Sequence, residues 1–414
     1  MKVLLHDYGG HAFTGQLATQ LAEMGCDIVY VWFAGFPGPK GRVSDPGTAG
    51  GKLRRCPLDI SAPFDKDNLL RRGLQQFEYA RKLKDLVIQE RPDVVISANS
   101  PLEVQQSLLK SVRGIGGHFV YWLQDIHSDA IASVLGKKSA TLGHAAGAYY
   151  RAKEKSLIRS SDKVVAIADS FRATLAESPW RLSTDRVSII ENWAPLQDIP
   201  SLPRDNDWSV ANMRPERLRI VYTGTLARKH NPDVLVELAR SLDADVWVFS
   251  EGHAPNYVAE RAATEGIGNL FVRPWLRAED LPKALAGADI LCAIIEADAG
   301  AYSVPSKVLS YLAAGRPILA SLPLDNLAAR TIMRAAAGLV AAPNDPPAML
   351  ANARRLLDDA ALRQQMEQSG RRYAESTFDI AAIGQKFIEI LNEVSGRSTG
   401  GRQELRHRVV EHIG

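Results

Sequence analysis

Three cations stand where helices should begin. Pro305, Ser306 and Lys307 open the apolar run VLSYLAAG, and Arg228 and Lys229 come just ahead of Pro232, which starts another run. A cation at a helix N-terminus works against the positive end of the helix dipole, where an anion is favoured. A bound anion removes that conflict: unpaired N–H groups, the dipole and the three cations can converge on one diphosphate. Tyr302, Ser303, Pro305 and Ser306 deliver the chain to the Lys307 helix, and Ser303 or Ser306 is expected to cap it. Earlier, the pair Gly9-Gly10 lets a ligand approach the backbone just before a helix start.

Such groups need a frame, and the sequence supplies one twice. At 414 residues the chain exceeds what one hydrophobic core usually serves. Short β-rich runs alternate with amphipathic segments, first as KVLLH, DIVYVWF, DVVIS, HFVYWLQ, KVVAIA and VSII, then as RIVYTG, DVWVFSEG, NLFVRPW, DILCAII and PILAS. Each gap is long enough for a crossover helix, which predicts two doubly wound parallel sheets. The clearest helix, over 67–90, places Leu70, Leu74, Phe77, Leu83 and Val87 on one stripe, with Arg71, Arg72, Arg81, Lys82 and Lys84 on the other face. A proline-rich polar stretch divides the two series. The expected organisation is a domain over 1–195, a linker over 196–217, a domain over 218–378, a helix over 379–394 and a disordered tail over 395–414.

Several classes are excluded. No apolar run approaches the roughly 18 to 20 residues that span a bilayer, and the N-terminus turns polar too early for a signal peptide. The protein is therefore expected to begin at Met1, in the cytoplasm. Three scattered cysteines, Cys26, Cys56 and Cys292, form neither a disulfide framework nor a metal motif. GTAGGKL lacks the residues of a Walker loop, and GIGG precedes a strand instead of following one, so ATPase and simple dehydrogenase readings fall away. Asp65 and Asp67 are better explained by a helix cap at Asp67 than by a metal, and Asp205 and Asp207 lie in the linker. Residues 1–195 carry 25 Lys+Arg against 20 Asp+Glu, a mild excess that favours an anionic surface or ligand.

In this setting YTGTLARKHNPDVLVELA, FSEGHAPNY, RPWLRAEDLP and above all PSKVLSYLAAGRPILAS resemble the GT-B glycosyltransferases, specifically the large retaining family 4. The likeness is to the branch that builds bacterial exopolysaccharide, O-antigen or capsule, such as fucosaminyl and colanic-acid-type transferases. It runs to about Val394, and its C-terminal half is the more specific.

The resemblance implies a GT-B fold of two Rossmann-like domains facing a cleft, and a sugar-nucleotide donor held mainly by the second. The base would lie against Ser250, Glu251 and Gly252 and against Trp275 and Leu276. The diphosphate would meet Gly224, Thr225, Arg228, Lys229 and the helix start from Ser303 to Lys307. Gly9 and Gly10 would close over the donor, and the final helix would cross back to the first domain. The paired glutamates that the family often carries fall here on Tyr302 and Ser310, leaving the donated sugar open; Glu296 and Asp298 lie close by. Asp125 and His127, just past HFVYWLQ, match the region where the family has an active-site His or Asp.

Retaining transfer of this kind requires no bound metal and no cofactor, so Arg228 and Lys307 should matter more to rate than any single base. The acceptor is expected on the first domain. There 33–55, the basic helix and 136–159 interleave cations with Phe33, Phe36, Tyr149 and Tyr150, as a polyprenyl-diphosphate-linked sugar at an anionic membrane would require. No nucleic-acid partner is expected. Two alternatives stay open: a catalytically degenerate nucleotide-sugar-binding protein on the same fold, and a nucleotide-sugar 2-epimerase.

Overall fold

The computed structural model describes residues 1–36, 52–65, 68–98, 100–136, 139–226, 230–297 and 304–396, apart from the side chains of Leu69, Leu70, Ala130, Ser133, Val134, Ala140 and Leu142. The chain forms two compact units, Met1–Glu191 with the segment from Ile380 onward, and Asn192–Asp379.

Unit 1 runs β1 (Lys2–Asp7), α1 (Ala12–Glu23), β2 (Asp27–Phe33), β3 (Leu53–Leu58), α2 (Leu69–Glu90), β4 (Val94–Ala98), α3 (Leu102–Gly114), β5 (His118–Leu123), α4 (His127–Gly136), α5 (Ala140–Ser160), β6 (Lys163–Ala166), α6 (Asp169–Ala176) and β7 (Val187–Ile189). Its seven strands are all parallel, in the order β3-β2-β1-β4-β5-β6-β7. Strands such as DIVYVWF and VVISA are buried almost throughout, because helices cover both faces of the sheet.

Unit 2 runs α7 (Asp207–Asn212), β8 (Arg219–Thr223), α8 (Asp233–Ser241), β9 (Asp245–Phe249), α9 (His253–Glu265), β10 (Leu270–Arg273), α10 (Leu281–Ala286), β11 (Ile290–Ile294), α11 (Lys307–Ala314), β12 (Ile318–Ser321), α12 (Leu327–Arg334), β13 (Gly338–Ala341), α13 (Pro346–Asp358) and α14 (Ala360–Thr377). Its sheet is also wholly parallel, in the order β10-β9-β8-β11-β12-β13. Two doubly wound parallel sheets are what the alternation of apolar and amphipathic segments calls for.

The last helix, α15 (Ile380–Val394), belongs to unit 1. Phe387 is buried with its ring 5.0 Å from that of Trp122, and Lys163 reaches Glu393 at 2.6 Å. Gly384 lets the helix close on α1, since a Cβ there would meet the Gln20 Cγ at 2.8 Å. Of the tail expected over 395–414, residues 397–414 lie outside the described residues.

Three details differ from the sequence reading. Edge strands β3 and β13 stand outside the expected series of runs; β3 takes in residues 53–55 of the stretch 33–55 expected on the acceptor surface, of which 37–51 lie outside the described residues. The stretch presented as a linker is structured: Asn206 caps α7 by accepting from the Ser209 N–H at 3.1 Å. Just before that helix, Arg204 grips Asp289 at 2.8 Å, while Asp205 takes up Arg204 at 2.7 Å and the buried Arg219 at 3.2 Å. The cap expected at Asp67 lies outside the described residues; beside it, Asn68 accepts from the Arg71 N–H at 3.1 Å.

The third concerns α2. The side facing the core carries Gln76, Tyr79, Ala80, Leu83 and Val87, whereas Leu74 is 72% and Phe77 is 70% exposed. Apolar character alone does not say which side of a helix meets the sheet, and here two members of the expected stripe point to solvent on the same side as Arg81 and Lys84, which were expected opposite them.

Candidate active site

In each sheet the connections reverse direction between two neighbouring strands, and ligands of such folds bind outside the carboxyl ends of the strands at that reversal. In unit 2 the reversal lies between β8 and β11.

Strand β8 ends in Thr223 and turns at Gly224, whose φ of +90° is open to glycine at little cost. The Gly224 N–H donates to Phe249 O at 3.0 Å, and the Tyr222 hydroxyl donates to Thr225 O at 2.8 Å, so the turn is held from both sides. Thr225 itself is exposed.

The β9 turn is tied to its neighbours. Ser250 is buried and its hydroxyl accepts from the Leu226 N–H at 3.0 Å, joining the turns after β8 and β9. Gly252, with φ +119°, leads into α9. The Glu251 carboxylate accepts from the Trp275 N–H at 3.1 Å, joining the turns after β9 and β10. Trp275 is 41% exposed and Leu276 is half-buried beside it.

On the β11 side, Pro305 is buried and α11 starts after Ser306. Ser306 makes no side-chain cap, contrary to expectation: its backbone is already helical, with φ −57° and ψ −22°, whereas a capping side chain needs an extended residue to turn back on the first amides. Lys307 folds over the sheet, its Nζ 3.5 Å from the centroid of the Tyr222 ring and within 4.0 Å of where a Gly224 Cβ would stand.

One turn on, at i+4 and hence on the same face, the buried Tyr311 hydroxyl accepts from the Thr223 N–H at 3.1 Å and donates to Cys292 O at 3.3 Å. Tyr311 thereby pins α11 to β8 and β11. Ser310 is half-buried. Burial pushes the Cys292 thiol up to about 12, with the Lys307 charge acting the other way, so this cysteine is an inert core residue.

Unit 1 reverses between β1 and β4. Gly9 and Gly10 wrap Asp7, which is fully buried at the end of β1. Its oxygens accept from the Gly9 N–H at 3.1 Å, the His11 N–H at 2.6 Å, the Thr14 hydroxyl at 2.9 Å and the His11 ring at 2.9 Å. Gly10 has φ +67°, and a Cβ on Gly9 would stand 2.3 Å from the His11 ring. Burial opposes the Asp7 charge, but the charge and hydrogen bonds of His11 hold it below its ordinary value. Burial likewise opposes protonation of His11, and Asp7 overrides it.

Past β5, Asp125 is half-buried and His127 opens α4. Glu154, wholly buried on α5, accepts from the His127 N–H and the Ser128 N–H, each at 2.9 Å, and lies 3.8 Å from the His127 ring. Burial works against a charged His127, yet Glu154, then Asp125 and Glu103, raise its proton affinity.

The structure thus gathers Gly224, Thr225, Ser250, Glu251, Gly252, Trp275 and Lys307 at the carboxyl ends of adjoining strands of unit 2. Arg228, Lys229, Asp298, Tyr302 and Ser303 lie outside the described residues. Sequence reasoning missed Tyr222, Tyr311, Asp7, His11 and Glu154. The only available signals were Lys307 and Tyr311 at i,i+4 and Asp7 and His11 flanking the glycine pair. Of the aromatic residues expected on an acceptor surface, Phe33 belongs to the core and Phe36 packs against it, whereas Tyr149 is 60% exposed. Among the described residues no helix is long and apolar enough to cross a membrane.

Residues 8–193 match the glycosyl transferase 4-like domain and residues 217–359 match the domain of glycosyl transferases group 1. The chain is 25% identical over 307 residues to the probable glycosyltransferase WbjE of Pseudomonas aeruginosa, covering 71% of this chain and 73% of that one. Among solved structures, sucrose-phosphate synthase from Thermosynechococcus elongatus shares the fold with a TM-score of 0.73 at 14% identity, over 96% of this chain and all of the other. Anabaena HepE, solved in complex with UDP-glucose, aligns with a TM-score of 0.67 at 13% identity, over 95% of this chain and 100% of its own. With two glycosyltransferase domains that between them cover most of its length, each built on a doubly wound parallel sheet, this chain belongs to the glycosyltransferases of GT-B fold.

Proposed function

We propose that this glycosyltransferase moves a sugar, with retention at its anomeric carbon, from a UDP- or GDP-sugar to a lipid-linked saccharide in the building of a bacterial surface polysaccharide. The observation that carries the donor half is Lys307: a cation at the start of α11, held over Tyr222 beside the Gly224 backbone. A phosphate there would meet an ammonium group and a helix N-terminus together. The fold shared with HepE, whose structure holds UDP-glucose, supports a nucleotide sugar as donor. The likeness to WbjE supports transfer.

In this reading Trp275, Leu276, Ser250, Glu251 and Gly252 receive the base, and Ser310 the ribose. Lys307, Arg228 and Lys229, with Gly224, Thr225 and the 302–306 segment, receive the diphosphate. The bond from the sugar C1 to the diphosphate oxygen breaks as the acceptor hydroxyl oxygen bonds C1 on the same face, and the hydroxyl proton passes to the departing phosphate oxygen. Negative charge gathers on the diphosphate, where fixed cations lower the barrier. Unit 1 carries the acceptor surface. The reaction takes place in the cytoplasm, at the inner face of the plasma membrane, without a metal.

Thermal shift with UDP, GDP and UMP tests the reading, since a ligand bound only to the folded form raises its melting temperature. A diphosphate should raise it well beyond the monophosphate. Lys307→Met, which keeps the packing on Tyr222 but removes the charge, should abolish that difference. Release of free sugar from one donor, lost in the same variant, adds turnover to binding. The reading fails when no nucleoside diphosphate shifts the melt, or when Lys307→Met responds as the wild type does.

A further inference from the structure

Helix α2 presents solvent with a face that a purely solvated helix would not carry. Leu74 is 72%, Phe77 70% and Ile88 48% exposed, while Arg81 and Lys84 are exposed among them. At about 100° per residue, Leu74, Phe77, Arg81, Lys84 and Ile88 fall within an arc of about 80°. Scattered single apolar residues are ordinary on a surface, but here three share one arc with two cations. Among the described residues the carboxylates nearby are few. Asp85 borders the arc, Glu78 is taken up by Ser61 at 2.8 Å and Lys82 at 3.5 Å, and Asp65 lies 3.9 Å from Arg71.

We propose that this face of α2 docks unit 1 onto a bilayer surface rich in anionic lipid. Leu74, Phe77 and Ile88 would enter the boundary between headgroups and acyl chains, while Arg81 and Lys84 meet lipid phosphates. Charge complementarity selects this occupant: a second copy seated on the same face would bring Arg81 and Lys84 of both chains together, whereas an anionic headgroup layer neutralises them. The inference gives the lipid side of the proposed function a surface, but it is carried by α2 alone and does not depend on the donor reading.

The test is flotation of the full-length protein with vesicles of phosphatidylglycerol and phosphatidylethanolamine, against vesicles of phosphatidylcholine alone. Wild type should float with the anionic vesicles and not with the neutral ones, and should be released by salt. The pair Leu74→Gln and Phe77→Gln should lower the partition coefficient about tenfold or more. The pair Arg81→Gln and Lys84→Gln should weaken binding and flatten its salt dependence, while Lys386→Gln, exposed on α15, changes nothing. All these positions are exposed, so melting temperature and the nucleotide thermal shift should stay at wild-type values, which separates failure of this inference from failure of the donor reading. The proposal is overturned when wild type stays unbound, when both pairs bind as wild type does, or when light scattering shows a dimer that the Leu74→Gln and Phe77→Gln pair dissolves.

Discussion

The His11 ring lies 2.9 Å from a carboxylate oxygen of Asp7, which has no contact with solvent. The two groups stabilise each other's charged forms, and their contributions have opposite pH signs. His11 is raised above its ordinary 6.5, so its contribution is complete below 6.5 and fades as pH rises through the folded-state value. Asp7 is lowered below its ordinary 3.8, so its contribution is complete above 3.8 and fades as pH falls through the folded-state value. Both act fully only in the window between.

His11→Gln should therefore cost most in that window, and less above it. The His11 side chain is 45% exposed, so solvent screening holds the loss to about 1 kcal/mol. Urea melts of wild type and variant at intervals from pH 4 to 9 check this. A loss that grows toward pH 9 would contradict it.

His6 should behave in the opposite way. It is wholly buried between Ser97 at 2.9 Å and Tyr79 at 3.0 Å, and burial lowers its pKa from 6.5 to about 4 despite the nearby Asp7. The folded protein refuses a proton that the unfolded chain accepts. Stability is then full above 6.5 and lost as pH falls toward 4, by roughly 3 kcal/mol. In His6→Asn, which is less stable at pH 8, the decline between pH 6.5 and 4 should be shallower by about that amount in urea melts.

Glu154 anchors the start of α4, since both of its oxygens accept main-chain amides there. Glu154→Ala leaves two amides without an acceptor and should cost about 3 kcal/mol in a denaturant melt. Glu154→Gln keeps one acceptor oxygen but removes the charge. The His127 ring should then titrate at a lower pH than in wild type, as a proton NMR titration of its ring signals would reveal. An unmoved titration would mean that Glu154 does not set the charge of His127.

Gly224→Ala separates strain from crowding. A Cβ there would stand 3.9 Å from the Lys307 side chain, which is ordinary contact, but φ +90° is unfavourable for alanine. The expected loss is about 1 to 2 kcal/mol. Because the strained turn lies against Lys307, diphosphate affinity should fall several-fold as well, read by calorimetry with UDP or GDP. Lost stability with unchanged affinity would make the turn a scaffold only.

Much of this architecture can be read directly from the chain. Central strands such as ILCAI and RIVYT are buried on both faces, so they appear as continuous apolar runs, and the segments between them are long enough only for crossover helices. The helix start at Lys307 and the Gly9-Gly10 turn are equally visible, because proline and glycine mark backbone geometry wherever they stand. Edge strands β3 and β13 are not: LRRCPL, paired on one side only, has no continuous apolar run, and GLVA is four residues inside the alanine-rich AAAGLVAA, where length and period do not separate strand from helix.

What tertiary structure alone decided concerns burial. Asp7 and Glu154 look like surface acids in a linear text, and only the packed sheet shows them sealed beneath a histidine and a helix start. Leu74 and Phe77 look like core alongside Leu83 and Val87, yet α2 turns Leu83 and Val87 inward with Tyr79 and leaves Leu74 and Phe77 outside. Composition and spacing determine which local elements form, because backbone geometry and side-chain periodicity act over a few residues. Which face is covered, and which charge must find its partner in a low-dielectric interior, depends on contacts between residues far apart in the chain.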